Sequence, residues 1–270
     1  MSIPRDAWWE KWERAEEHRL VLADEIVETF DREENKVRTR LEPGDQPGEY
    51  VFRVTAVQTA PLMRWAIMTG DVVHIYRGSL DHLAWRLALL HNHGHEPTHP
   101  NWIVFPIHDQ RRKFVASRIR KKFDGFHWSI FDEFQPYQGR RGRPDSWSGD
   151  YIPQLALLQL LSNRDKHQHL TPILLPPTGF YFPGGVFPAP TAPGVFPWDP
   201  FGVTPSTDPL DLGAVALRIR PRDPKGRARV GAESYVVPSV SLPLYGPLIP
   251  ALERIGIFVR GVLGEFDPLI

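Results

Sequence analysis

The chain has no cysteine. Disulfide frameworks, thiolate nucleophiles and Cys-ligated zinc or iron–sulfur centres are therefore excluded. It has no excess charge of either sign, since 32 Lys and Arg balance 32 Asp and Glu. A uniformly basic nucleic-acid coat and an acidic tail fail as whole-chain descriptions. No apolar run approaches the roughly 18 residues that a bilayer span requires, and the start M-S-I-P-R-D-A-W-W-E lacks the order of a secretory signal. A cytoplasmic protein without membrane contact is expected. Also missing are G-x-x-x-x-G-K-[ST], G-x-G-x-x-G after a strand, H-E-x-x-H and G-x-S-x-G, which leaves nucleotide-driven, dinucleotide-binding, zincin and α/β-hydrolase chemistry without support. What the chain does carry is apolar mass: 41% hydrophobic residues and nine Trp, enough for a sizeable core.

Apolar residues at Trp8, Trp12, Ala15, Leu22, Ile26 and Phe30 recur at three- and four-residue steps, predicting an amphipathic helix over 4–30 whose stripe Arg19 interrupts. Segments 36–41 and 50–57, separated by P-G-D-Q-P-G, read as a hairpin. A second helix is expected over 61–91, with Val72, Val73, Tyr76, Leu80, Leu83, Ala84 and Leu87 on one arc. Residues 92–150 read as an insertion with short elements. A third helix is expected over 151–171, because L-A-L-L-Q-L-L is apolar nearly all round, and a closing helix over 247–266. Between them, 171–213 holds eleven Pro, seven aromatics and three charges. That composition predicts an ordered but poorly regular strap within the Pro- and aromatic-rich stretch 172–243, which also carries strands at 214–219 and 235–242. The expected fold is a single α+β domain over 1–270: a helical bundle with a small, mainly antiparallel sheet.

On the second helix, Asp71, His74, Arg77 and Asp81 follow at three- and four-residue steps and share one lateral surface. Two readings stay open, an ion-paired polar face or a site. The third helix ends S-N-R-D-K-H-Q-H, where Arg164 neighbours His167 and Asp165 neighbours His169. There, too, cations that complement the helix dipole compete with a functional cluster.

These segments, with F-P-I-H and the Q-P-Y at Gln135 to Tyr137, resemble a widespread bacterial and phage family of uncharacterised proteins with the ordered motifs G-D-x-x-H-N-L-R-x-x-L-D-x-L, F-P-I, Q-P-Y and D-K-H-R. An early A-E-E-H, Ala15 to His18, also fits. The chain departs from the pattern at Ile75-Tyr76 and at Gln168. The resemblance implies no activity, but it singles out His18, Asp71, His74, Arg77, Asp81, Asp165, Lys166 and His167. A second stretch is similar to HEPN-type helical ribonucleases, whose Arg, polar residue and spaced His are matched by Arg164, Asp165 and His169. That similarity implies a metal-independent endoribonuclease, usually dimeric, in which imidazole and guanidinium act on the 2′-hydroxyl and the phosphate.

The function expected is therefore action on RNA. His167 or His169 would be the acid–base group, Arg164 and Arg77 the phosphate contacts, and Asp71, Asp81 and Asp165 would orient them. Arg111, Arg112, Lys113, Arg118, Arg120, Lys121 and Lys122 form a candidate RNA-binding run, where Phe114, Phe123, Phe126 and Trp128 would stack on bases or fill the core. A second basic stretch, 218–229, adds six basic residues against one Asp. No cofactor is expected. The alternatives are a non-catalytic binding module with a structural polar network, and a single divalent metal held by His18, Asp71, His74 and His167.

Overall fold

The computed structural model describes residues 7–32, 35, 37–57, 60–138, 152–167, 170, 172–182, 185–188, 201–205, 210–221, 233–242 and 246–269. The fold is α+β, and its contacts divide the chain into two compact units, 1–22 with 66–170 and 249–270, and 23–65 with 171–248. No helix of the described residues is long and apolar enough to cross a membrane.

The first unit is helical. It takes α1 (Ala7–Asp31) up to Leu22, α2 (Leu62–His91) from Ala66, α3 (Arg111–Val115), α4 (Gly125–Glu133), α5 (Gln154–His167) and α6 (Leu248–Phe266) from Ile249, with short 3-10 segments at Pro100–Trp102, Arg118–Lys122 and Pro136–Gln138. The arc Val72, Val73, Tyr76, Leu80, Leu83, Ala84 and Leu87 on α2 is buried as its period predicts. Within α5, Leu155, Leu157, Leu158 and Leu161 are buried while Leu160 is exposed. That helix is amphipathic rather than enclosed on every side.

Arg19, which breaks the apolar stripe of α1, donates to Glu16 at 2.9 and 2.7 Å. Glu16 in turn accepts from the Tyr76 hydroxyl on α2. Burial and the Glu16 carboxylate both push the Tyr76 phenol far above its ordinary value, so it stays a proton donor. Glu16 and Tyr76 pack against Gly256 of α6, where a Cβ would overlap both the Glu16 carboxylate and the Tyr76 hydroxyl. Trp12 Nε1 donates to the Gly256 carbonyl at 2.9 Å on the same side. A cation on the apolar stripe is thus accommodated by a neighbour one turn away and a phenol from another helix.

Three half-buried imidazoles, His82, His108 and His127, lie below their ordinary pKa value, chiefly through burial, with Lys11, Lys113 and His91 respectively adding to the effect. The unfolded chain therefore takes up these protons first. Their contribution to stability is complete above the unfolded value of about 6.5 and is lost as pH falls toward the folded values. The urea midpoint is expected to fall between about pH 7.5 and 5.5, and less steeply in His82→Gln and His127→Gln; a flat profile would contradict burial of the neutral rings.

The second unit contains the sheet. Strands β1 (Val37–Pro43), β2 (Tyr50–Ala56), β3 (Ile173–Phe182), β4 (Gly185–Pro188), β5 (Phe201–Pro205), β6 (Val215–Pro221), β7 (Glu233–Leu242) and β8 (Gly246–Pro247) are ordered β4-β3-β7-β1-β2-β6-β5, with β8 beside β7. All described pairings are antiparallel. The β1–β2 hairpin turns through Gly48 at φ 74°, the left-handed region that glycine enters without a Cβ clash. The expected irregular strap contributes β3, β4 and β5. Its prolines fit because β4 and β5 are edge strands and Pro176-Pro177 sit where the β3–β7 register shifts.

On β6, Arg218 and Arg220 lie 3.2 and 3.5 Å from the buried carboxylate of Glu49. The first two cations of the 218–229 run thus share one carboxylate within the sheet unit. The rest of that run, beyond Pro221, lies outside the described residues.

Candidate functional site

The polar face of α2 separates into two sets of contacts, both within the helical unit. One begins with Arg77 and Asp81, a turn apart. Arg77 Nη2 lies 3.0 Å from Asp81 Oδ1 and donates to the Phe105 carbonyl at 2.7 Å, while Asp81 Oδ1 accepts the Phe105 N–H at 2.8 Å. One ion pair thus satisfies both backbone groups of a residue in an irregular segment, where no helix or strand ladder is available to do so. Burial pulls the Arg77 guanidinium below its ordinary value and Asp81 opposes it. Among the described residues its Nη1 has no partner.

Gln135 completes this clamp. Its amide donates to the carbonyls of Pro106 and Phe131 at 2.9 and 3.0 Å, and its oxygen accepts the His108 N–H at 2.8 Å. F-P-I-H, Q-P-Y and the Arg and Asp of the α2 motif are thus one structural device. It seats Phe105 in an aromatic cluster, 5.0 Å from Phe131, which is itself 5.0 Å from Phe266 and 5.1 Å from Phe123. Arg77, expected as a phosphate contact, holds the Phe105 carbonyl and pairs with Asp81 through Nη2.

The second set joins α2 to α5. His74 Nε2 lies 2.8 Å from Asp165 Oδ2, and both side chains are partly open to solvent. Gly70, one turn before His74, makes room for that carboxylate: a Cβ there would lie 2.5 Å from Asp165 Oδ1 and 2.7 Å from Oδ2. Glycine inside a helix costs about 1 kcal/mol relative to alanine. Here the close approach of a carboxylate accounts for it, which gives the G-D-x-x-H spacing a physical reason. Arg164 and Lys166 flank Asp165 with exposed side chains.

His18 is half-buried and Asp71 is exposed. Among the described residues no three His, Asp or Glu side chains gather as a metal ion requires. His18, Asp71 and His74 therefore do not by themselves form the alternative metal site. The side chain of its fourth member, His167, lies outside the described residues, as do Gln168 and His169 entirely.

The basic run occupies α3 and the turn Arg118–Lys122. Arg111, Arg112, Lys113, Arg118, Arg120 and Lys121 are exposed, and Lys122 is half-buried. Lys113 pairs with Asp109 at 2.8 Å and Arg112 donates to Gln110 at 3.2 Å. Of the four aromatics expected to stack on bases or fill the core, Phe114, Phe123 and Trp128 are buried, Phe114 stacked on Trp128 at 4.3 Å; only Phe126 faces solvent. Periodicity could not separate them, since the elements here are too short to define a face. The sequence reading also missed His99 and Trp102, whose rings stack at 4.6 Å on the exposed 3-10 turn. No protein-family model, curated protein or solved structure matches this chain.

Proposed function

We propose that the protein acts on RNA by metal-independent acid–base catalysis, with the His74–Asp165 pair as its proton-handling group. The observation that carries this reading is the 2.8 Å contact between a solvent-open imidazole and a carboxylate seated on a glycine. A carboxylate on one ring nitrogen fixes the tautomer and orientation of the other, which is what a general base requires.

In the reaction, the imidazole removes the proton of a ribose 2′-hydroxyl. The resulting oxygen attacks the adjacent phosphorus, the P–O5′ bond breaks, and the leaving oxygen takes a proton. The products are a 2′,3′-cyclic phosphate and a 5′-hydroxyl. Arg164, beside Asp165 on the exposed surface of α5, supplies the cation for the phosphoryl charge. His167 or His169 supplies the second imidazole that proton return requires. The same reading expects a homodimer, as in the ribonucleases the α5 motif resembles, which sedimentation would check.

The test is cleavage of unstructured RNA in EDTA. Activity is expected in the native chain and is expected to disappear in His74→Ala and Asp165→Asn while the melting temperature stays close to native. RNA left intact by folded native protein overturns the reading. A second reading, a non-catalytic binding module, is favoured by the Arg77–Asp81–Gln135 clamp, because most of the shared motif then serves the fold. It predicts that alanine at His74 or Asp165 changes stability and leaves partner binding intact.

A further inference from the structure

Trp102 is 53% exposed, while the next residue, Ile103, is buried. Its indole lies against the His99 imidazole, with ring centroids 4.6 Å apart and planes within 17° of parallel. His99 holds this arrangement at φ 60° and ψ 61°, a left-handed conformation that costs a non-glycine residue free energy. A flat, two-ring stack thus stands exposed, with its first residue in a left-handed backbone conformation.

The stack stands beside positive charge. Lys122 Nζ donates to Thr98 Oγ1 at 2.5 Å, tying the basic turn Arg118–Lys122 to the residue before His99. Arg118, Arg120 and Lys121 on that turn are exposed, and among the described residues they enter no ion pair. Residues 111–122 contain no acid. Phe126, 60% exposed at the first turn of α4, offers a further ring close by in sequence. Cations track a phosphate backbone, and an open aromatic face takes a base, whichever base it is.

We propose that residues 98–102 and 118–122 form a binding surface for single-stranded RNA, with the His99–Trp102 stack as its base platform and Arg118, Arg120 and Lys121 as its phosphate contacts. The preference for single strands follows from chemistry. Duplex bases have their faces occupied by their own neighbours, so a duplex can use the cations but not the platform. The proposal names the substrate class for the action on RNA put forward above and rests on that reading for the choice of RNA.

The experiment measures fluorescence anisotropy of a labelled 2′-O-methyl oligouridine, which lacks the free hydroxyl needed for cleavage, with full-length protein over a range of salt concentrations. Trp102→Ala is expected to weaken binding by about 5- to 150-fold, corresponding to the loss of one stacked base, with the salt dependence unchanged. Trp102→Phe is expected to restore most of it. Arg120→Ala with Lys121→Ala is expected to reduce the slope of log affinity against log salt by about 0.7 for each phosphate that is no longer neutralised. A duplex of the same oligonucleotide is expected to bind more weakly and to ignore Trp102→Ala. Native-like binding by folded Trp102→Ala, equal affinity for duplex and single strand, or no binding of the oligouridine overturns the surface. The RNA cleavage assay is read separately, so retained His74-dependent cleavage beside any of these outcomes would remove the surface and leave the acid–base pair standing.

Discussion

Asp81→Ala is expected to lower the unfolding free energy by about 3–5 kcal/mol, as measured by urea denaturation, because it leaves a buried guanidinium without its counter-charge. The Arg77 side chain is only 11% exposed, and one of its nitrogens already has no partner among the described residues. Removing Asp81 also takes the acceptor from the Phe105 N–H. Arg77→Ala is expected to cost less, about 1.5–3 kcal/mol, since it removes the charged hydrogen bond to the Phe105 carbonyl but leaves a carboxylate that water can still reach. The double variant should be less destabilised than the sum of the two, with a coupling of about 0.5–3 kcal/mol. If Arg77 faced a phosphate instead, its loss would change stability by less than about 0.5 kcal/mol. Additivity with near-native stability in both single variants would refute the clamp.

Gly70→Ala is expected to abolish the His74–Asp165 contact and, with it, to reduce the proposed RNA cleavage by about two to four orders of magnitude. In an unobstructed helix this substitution stabilises by about 1 kcal/mol. Here the new methyl would fall 2.5 Å from Asp165 Oδ1, and overpacking costs about 1–3 kcal/mol. The net change in stability is therefore small or moderately unfavourable, while the pair itself is lost. A second substitution makes the cause identifiable. In Gly70→Ala with Asp165→Ala the methyl no longer meets a carboxylate, so the double variant should be more stable than Gly70→Ala alone and equally inactive. A change in the imidazole N–H proton resonance of His74 between the native chain and Gly70→Ala would report the loss directly. Undiminished cleavage by folded Gly70→Ala would separate the carboxylate from the chemistry.

Local order was readable where a period or a turn residue dictates it. The arc from Val72 to Leu87 is the buried face of α2, and α6 spans nearly the predicted residues. The hairpin at 37–56 also lies where alternation and P-G-D-Q-P-G place it. The proline-rich stretch was harder, because propensity penalises Pro in strands in general, whereas an edge position or a register shift removes the penalty. Edge and centre are properties of a sheet, and no window of sequence contains them.

The candidate site divides the same way. Helical spacing alone determined that Asp71, His74, Arg77 and Asp81 share a face of α2, and that Arg164 and Asp165 stand at the end of α5. Zero net charge and the absence of cysteine set the classes of chemistry in play, and the acid-free run from Arg111 to Lys122 was visible as a local surplus hidden inside that balance. Only the tertiary structure decided the partners. His74 meets Asp165 from another helix, distant in sequence, rather than Asp71 one turn back. Arg77 and Asp81 take the backbone of Phe105, and Trp102 is left facing outward. The reason is physical: spacing along a helix fixes which side chains can be neighbours, but a charged or aromatic group's free energy depends on what other segments bring to it, be that a carboxylate, a carbonyl or water.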